Sequence, residues 1–139
     1  MSVATGFVGV NSLSPAYNLD VAGNVHYSGT LANISTKNIK TNIKKIDNDI
    51  SKFSRLEPVE YNLLGVTSDM GRYYEPSDRK HVGFLAEELE LVYPNAVVQH
   101  PNDTINGEPI KGVIYNNVLV KMVGVVQELI RRIEKLEKN

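Results

Sequence analysis

Apolar residues fall at alternating steps of three and four near the end of the chain: Leu119, Met122, Val126, Leu129, Ile133 and Leu136. This heptad spacing predicts a helix over about residues 116–138 that seals its seam against copies of itself as a coiled coil. With Leu119, Val126 and Ile133 at a and Met122, Leu129 and Leu136 at d, the flanking e and g sites carry Val118, Val123, Val125 and Ile130. A two-stranded zipper would leave those four in water. Either three or more helices share the axis or further protein covers the outside of the seam, so a homotrimer is expected, even though β-branched a with Leu at d suits two strands. The plain alternative is a single amphipathic core helix.

Upstream the period shortens. Tyr17, Leu19 and Val21 alternate before Ala22-Gly23-Asn24, and Val25 and Tyr27 alternate after it, which predicts a hairpin. Gly6 to Ala32 holds too few large apolar residues for its own core, so residues 1–34 read as the end of a β-rich trimeric stalk. Ile46, Ile50, Phe53 and Leu56 predict a helix from Ile46 to Arg55, ended by Glu57-Pro58, with Val59 to Leu63 extended after it. Gly65 to Asp78 reads as a polar loop, His81 to Leu85 as a short strand, and Ala86 to Tyr93 as a helix stopped before Pro94. Ala96–Gln99 and Gly112–Tyr115 flank Asn106-Gly107, a second hairpin. The expected class is α+β: a small mixed body of short strands and helices between an N-terminal β stalk segment and a long C-terminal coiled-coil helix.

Composition narrows the functions. The 139 residues, 42% apolar, support one modest core plus an extension. A net charge of −1 without a basic block gives no electrostatic footprint for nucleic acid. The chain contains no cysteine, which excludes a disulfide scaffold, a thiolate zinc site and a cysteine nucleophile. No apolar run has bilayer length, and Met1 to Val10 lacks the charged start of a signal peptide, so a soluble protein without a membrane partner is expected.

Ser35 with Lys40 is the pointed candidate for chemistry. A neutral lysine amine can take a serine's proton once burial lowers its pKa toward the working pH. The bland reading is that Lys37, Lys40, Lys44 and Lys45 form a solvated basic face. Position favours the pair, since Ser35 stands at the junction of stalk and body. His81 offers a general base, but a histidine that begins an apolar strand is more often a hydrogen-bonded structural residue. His26 and His100 show no ligand spacing, and Glu87, Glu88 and Glu90 have no histidine at i+4 on their helix, so neither metal nor cofactor is expected.

Ser35-Thr36-Lys37-Asn38-Ile39-Lys40-Thr41-Asn42-Ile43, Glu57-Pro58-Val59-Glu60-Tyr61, His81-Val82-Gly83-Phe84-Leu85-Ala86-Glu87-Glu88-Leu89, Tyr93-Pro94 and Tyr115, in that order, resemble one family. It is the intramolecular chaperone auto-processing domain that closes phage endosialidase tailspikes, neck-appendage proteins and L-shaped tail fibres, with a relative in myelin regulatory factor. The likeness covers residues 35–139, and Val8-Gly9-Val10 to Leu19-Asp20-Val21-Ala22-Gly23-Asn24-Val25 resembles the stalk repeat preceding such domains. The resemblance implies a homotrimeric chaperone that helps an upstream fibre or appendage domain of the same polypeptide to intertwine. It then cuts itself off at Ile34-Ser35, with Ser35 as nucleophile and Lys40 as base, by acyl shift or direct attack. It further implies a virion precursor assembled in the host cytoplasm, with the chaperone domain released after cleavage. His81, Gly83 and Glu88 would support the site. Thr36 stands where the family usually has aspartate, Glu87 where it has glutamine, and Leu63 where an aromatic is common. A non-cleaving trimeric fibre tip that binds a host surface is the alternative.

Overall fold

The computed structural model describes residues 2–4 and 6–138. Helices α1 (Ile50–Phe53), α2 (Ala86–Val92) and α3 (Tyr115–Glu137) come together around one apolar cluster. Leu89, Val92 and Tyr93 repeat at helical spacing on the inner face of α2, and with Ala96 and Val118 they form the core. Phe53, Leu56, Phe84, Val97 and Val113 close around it. Glu87 and Glu88 in the first turn of α2 complement the helix dipole, and Pro94 ends the helix in a 3₁₀ turn, Pro94–Ala96. That turn seats α3: Ile114 N donates to Ala96 O at 2.8 Å, and Asn117 Nδ2 to Asn95 O at 2.5 Å. Lys52 and Lys121 each place an ammonium over the Tyr93 ring, at 5.2 and 5.5 Å from its centroid, which ties α1 and α3 to the core.

Strands supply the rest of the body. β8 (Val97–Ile105) and β9 (Glu108–Val113) form the expected hairpin, with Asn106 and Gly107 at φ of 53° and 80° as a two-residue primed turn demands. Both strands run longer than the alternation alone indicates. Their register slips between Gln99 and Thr104, where Pro101 has no N–H to give to the ladder. β4 (Val59–Leu63) pairs with β7 (Ser77–Gly83), Tyr61 opposite His81 and Val59 opposite Gly83. The expected polar loop over Gly65–Asp78 instead contains a small hairpin, β5 (Val66–Thr67) with β6 (Tyr73–Tyr74), and the start of β7. Gly71 at φ 82° closes its turn.

The helix expected from Ile46 to Arg55 is shorter. Asp49 is its N-cap, accepting from Lys52 N at 3.0 Å, so Ile46 to Asn48 stay outside the helix. These residues cross α3 at Gly124, where an added Cβ would stand 2.3 Å from Asn48 Oδ1.

The hairpin expected around Ala22-Gly23-Asn24 is not formed. β3 (Leu19–Val21) runs parallel to β2 (Phe7–Val10), Val8 opposite Leu19 and Val10 opposite Val21, while β1 (Ser2–Ala4) pairs antiparallel with the other edge of β2. Ala22 N extends the parallel ladder to Val10 O at 3.0 Å. β3 thus finds its partner upstream, and Val25 and Tyr27 remain exposed with no strand formed from Ala22 to Thr36. Met1 and Thr5 of the expected stalk segment lie outside the described residues.

α3 confirms the predicted helix nearly end to end, yet its faces differ. Val118 and Val125, the g positions, are buried on the body. All six a and d residues and the e residues Val123 and Ile130 are exposed in the protomer. Among the described residues, no helix is long and apolar enough to cross a membrane.

Candidate functional site

Ser35 and Lys40 are brought together by a purely local device. Thr36 is extended, and Lys37–Ile39 form a 3₁₀ turn closed by Ile39 N to Thr36 O (3.4 Å) and Lys40 N to Lys37 O (3.1 Å). The turn folds the chain back so that Lys40 Nζ donates to Ser35 Oγ at 2.5 Å. A hydroxyl and an amine in this contact can exchange a proton once the amine is neutral. Burial that would favour the neutral amine is absent in the protomer: every residue from Gly23 to Asp47 is exposed. Ile34, Ile39 and Ile43, at 83, 64 and 63% exposure, surround the pair with uncovered apolar surface. The Ile34–Ser35 peptide is therefore accessible, and its apolar neighbours are unpartnered.

His81, Gly83 and Glu88 lie on the body. His81 stacks on Tyr61 with ring centroids 5.7 Å apart, and its Nε2 is 3.3 Å from Ser77 Oγ. Gly83 is buried because two tyrosines occupy the space of a side chain: an added Cβ would lie 2.2 Å from the Tyr115 hydroxyl and 3.4 Å from that of Tyr61. Glu88 is exposed on the first turn of α2. Among the described residues, no hydrogen bond or ion pair links these three to Ser35 or Lys40, and no three acidic or histidine side chains converge as a metal site requires.

A second polar cluster escaped the sequence reading. Arg72 forks onto Asp20, Nη1 to Oδ1 at 2.7 Å and Nη2 to Oδ2 at 2.8 Å, and Nη2 also reaches Ser12 Oγ at 2.9 Å and His100 Nε2 at 3.2 Å. Asp103 stands behind it, 3.9 Å from Arg72 Nε, accepting from Ser68 Oγ at 2.6 Å and Met70 N at 3.1 Å. The side chains of Arg72, Asp20 and Asp103 are 10, 5 and 3% exposed. The hydrogen bond from Arg72 outweighs burial and holds the Asp20 carboxyl down at about 2. Burial pushes the Asp103 carboxyl up, but its hydrogen bonds from Ser68 and from the Met70 and Thr104 amides bring it below the usual carboxylate range. The guanidinium of Arg72 is shifted upward by the same bond to Asp20. No spacing signals this cluster in the sequence, because single charges from three distant segments meet only in the fold.

Residues 35–98 match the family described as chaperone of endosialidase, and the match begins at Ser35. Myelin gene regulatory factor-like A of Dictyostelium discoideum is 32% identical over 143 residues, covering 97% of this chain and 15% of that protein. An uncharacterised protein of the same organism is 32% identical over 141 residues, covering 94% of this chain and 12% of its own length. An uncharacterised membrane protein of that organism is 30% identical over 138 residues, covering 92% of this chain and 8% of its own length. The chain thus spans between 8 and 15% of these relatives.

Proposed function

From the membership of residues 35–98 in the chaperone-of-endosialidase family, we propose that this intramolecular chaperone severs its own chain at Ile34–Ser35 after trimeric assembly. The contact of Lys40 Nζ with Ser35 Oγ, at the first residues of the family match, carries the reading. A neutral Lys40 amine takes the hydroxyl proton while Ser35 Oγ bonds to the Ile34 carbonyl carbon. The Ile34–Ser35 C–N bond breaks as the Ser35 nitrogen gains a proton, leaving an ester between the Ile34 acyl group and Ser35 Oγ. Water opens the ester to an Ile34 carboxylate, a free Ser35 hydroxyl and a free amine.

Assembly supplies the environment that the protomer does not. The body covers the g flank of α3 through Val118 and Val125, while the a, d and e positions stay open, the combination that three helices around an axis would bury. Each Leu, Ile or Val buried there contributes about 1.5–3 kcal/mol before entropy. Neighbouring copies that cover Ile34, Ile39 and Ile43 would also desolvate Lys40 and favour its neutral form. The upstream partner is the remainder of the same polypeptide, a β-rich trimeric fibre, tailspike or appendage of the phage type assembled in the host cytoplasm. Cutting after registration makes fibre unfolding hard to reverse.

The exposure of the pair also suits a second reading, a permanent trimeric fibre tip that binds a host surface and never cuts. Intact-mass measurement decides. A 35–139 fragment should accumulate from the native chain, while Ser35→Ala and Lys40→Ala should remain whole with unchanged circular dichroism. Cleavage persisting in both variants would overturn the dyad, and an intact native trimer after prolonged incubation would favour the fibre tip.

A further inference from the structure

We propose that the Arg72 cluster is a product lock: it keeps the N-terminal segment bound to the chaperone domain after Ile34–Ser35 is cut, so that cleavage and release are separate events. The inference rests on the cleavage reading only for its timing. Asp20 and Ser12 belong to the segment before the cut, whereas Arg72, Ser68, His100 and Asp103 belong to the domain after it. Residues 23–34 between lock and cut are exposed and form no strand, so hydrolysis removes none of the contacts that hold Asp20.

The receiving side is built to stand without its occupant. Asp103 fixes Ser68 and the Met70 amide, and Ser68 Oγ in turn accepts from Arg72 N at 3.0 Å, so the 68–72 turn keeps its shape on bonds internal to the domain. Asp20 has less elsewhere: apart from Arg72, it accepts from its own segment's Ala16 N at 3.0 Å and lies 3.8 Å from His100 Nε2. A preorganised cation facing a carboxylate on a strand is a docking site for that strand, and the paired, buried geometry makes departure costly. In a trimer three such locks would act together, and avidity would slow release further.

The test uses the full chain carrying an affinity tag at Met1. After cutting, the tagged 1–34 piece should co-elute with the 35–139 domain at micromolar concentration. Asp20→Asn, which leaves the receiving side untouched, should cut at the native rate and weaken retention about 100-fold, and Arg72→Lys, which keeps the charge but loses the fork, should fall between. Native pieces that separate freely, or an Asp20→Asn piece retained as tightly as the native one, would overturn the lock. Should the native chain not cut itself, the cleavage reading fails separately. A protease site inserted within the exposed stretch 25–32 then makes the cut, and the same comparison of retention applies.

Discussion

The two polar groups on either side of Ile34–Ser35 are built by opposite means. Ser35 and Lys40 meet across five residues through one turn, in full solvent, by a single hydrogen bond. Arg72, Asp20 and Asp103 meet across the whole fold, out of solvent, with a forked ion pair and supporting hydrogen bonds. A local contact forms as soon as its turn forms, so it cannot report whether the molecule has assembled. A nonlocal one exists only when the body is folded with its N-terminal sheet in place. The reactive pair therefore has its control outside itself, in whatever covers it, whereas the Arg72 cluster carries its control in its own geometry.

The largest effect expected from breaking this contrast comes from the seam. Leu129→Asp with Ile133→Asp changes two residues that are exposed in the protomer, so the folded body should persist by circular dichroism while its thermal midpoint falls by whatever assembly contributed. Assembly should be lost by analytical ultracentrifugation, and self-cleavage should slow by about tenfold or more if coverage of the Ser35–Lys40 pair depends on neighbours. Cleavage at the native rate in a monomeric variant would show that the local pair needs no cover and would remove assembly from the mechanism.

Arg72→Met acts on the other side. It leaves two carboxylates without their cation, and removal of one partner from a buried pair costs about 3–5 kcal/mol, to be read as a lower urea midpoint with an unchanged slope. The pH dependence sharpens the comparison. Asp20 has its folded pKa depressed to about 2 from 3.8, so its contribution is present above about pH 4 and is lost as pH falls toward 2. That contribution amounts to about 2 kcal/mol at neutral pH. The stability difference between the native chain and Asp20→Asn should therefore shrink across that interval. A difference independent of pH would mean that the ion pair contributes nothing net.

What could be read in advance divides along the same line. The α3 helix, the Asn106-Gly107 turn and the α2 stop at Pro94 are set by near neighbours, and each is found where the pattern puts it. Ser35 and Lys40 also meet, because five residues suffice for the turn that joins them. The failures involve choices between partners. Leu19 to Val21 alternates like half of a hairpin, but alternation does not say which strand it will join, and β3 pairs with β2 in preference to the residues just after Ala22-Gly23-Asn24. The helix at Ile46 had the right spacing, but Asp49 is a better cap than interior residue. Arg72, Asp20 and Asp103 are isolated charges in the sequence, and only the closed fold makes them one group.

Gly124 offers the finest test, because it lies where the two kinds of construction touch. It occupies the f position of the α3 heptads, away from the a/d seam, and there it receives Asn48 from the segment that follows the reactive pair. Alanine at this position gains about 1 kcal/mol of helix propensity over glycine. Its Cβ would press on Asn48 Oδ1 and Cγ, the far end of a flexible side chain that can swing aside cheaply. The propensity gain therefore sets the sign, and Gly124→Ala should raise stability slightly, by up to about 1 kcal/mol, in denaturant unfolding. Because residues 41–48 lead directly from Lys40 to this contact, the same change should slow cleavage in the assembled trimer while leaving its mass unaltered. Unchanged cleavage would show that the reactive segment takes no guidance from α3. A less stable variant would show that Asn48 is held in place and that the crossing is a fixed point of the fold.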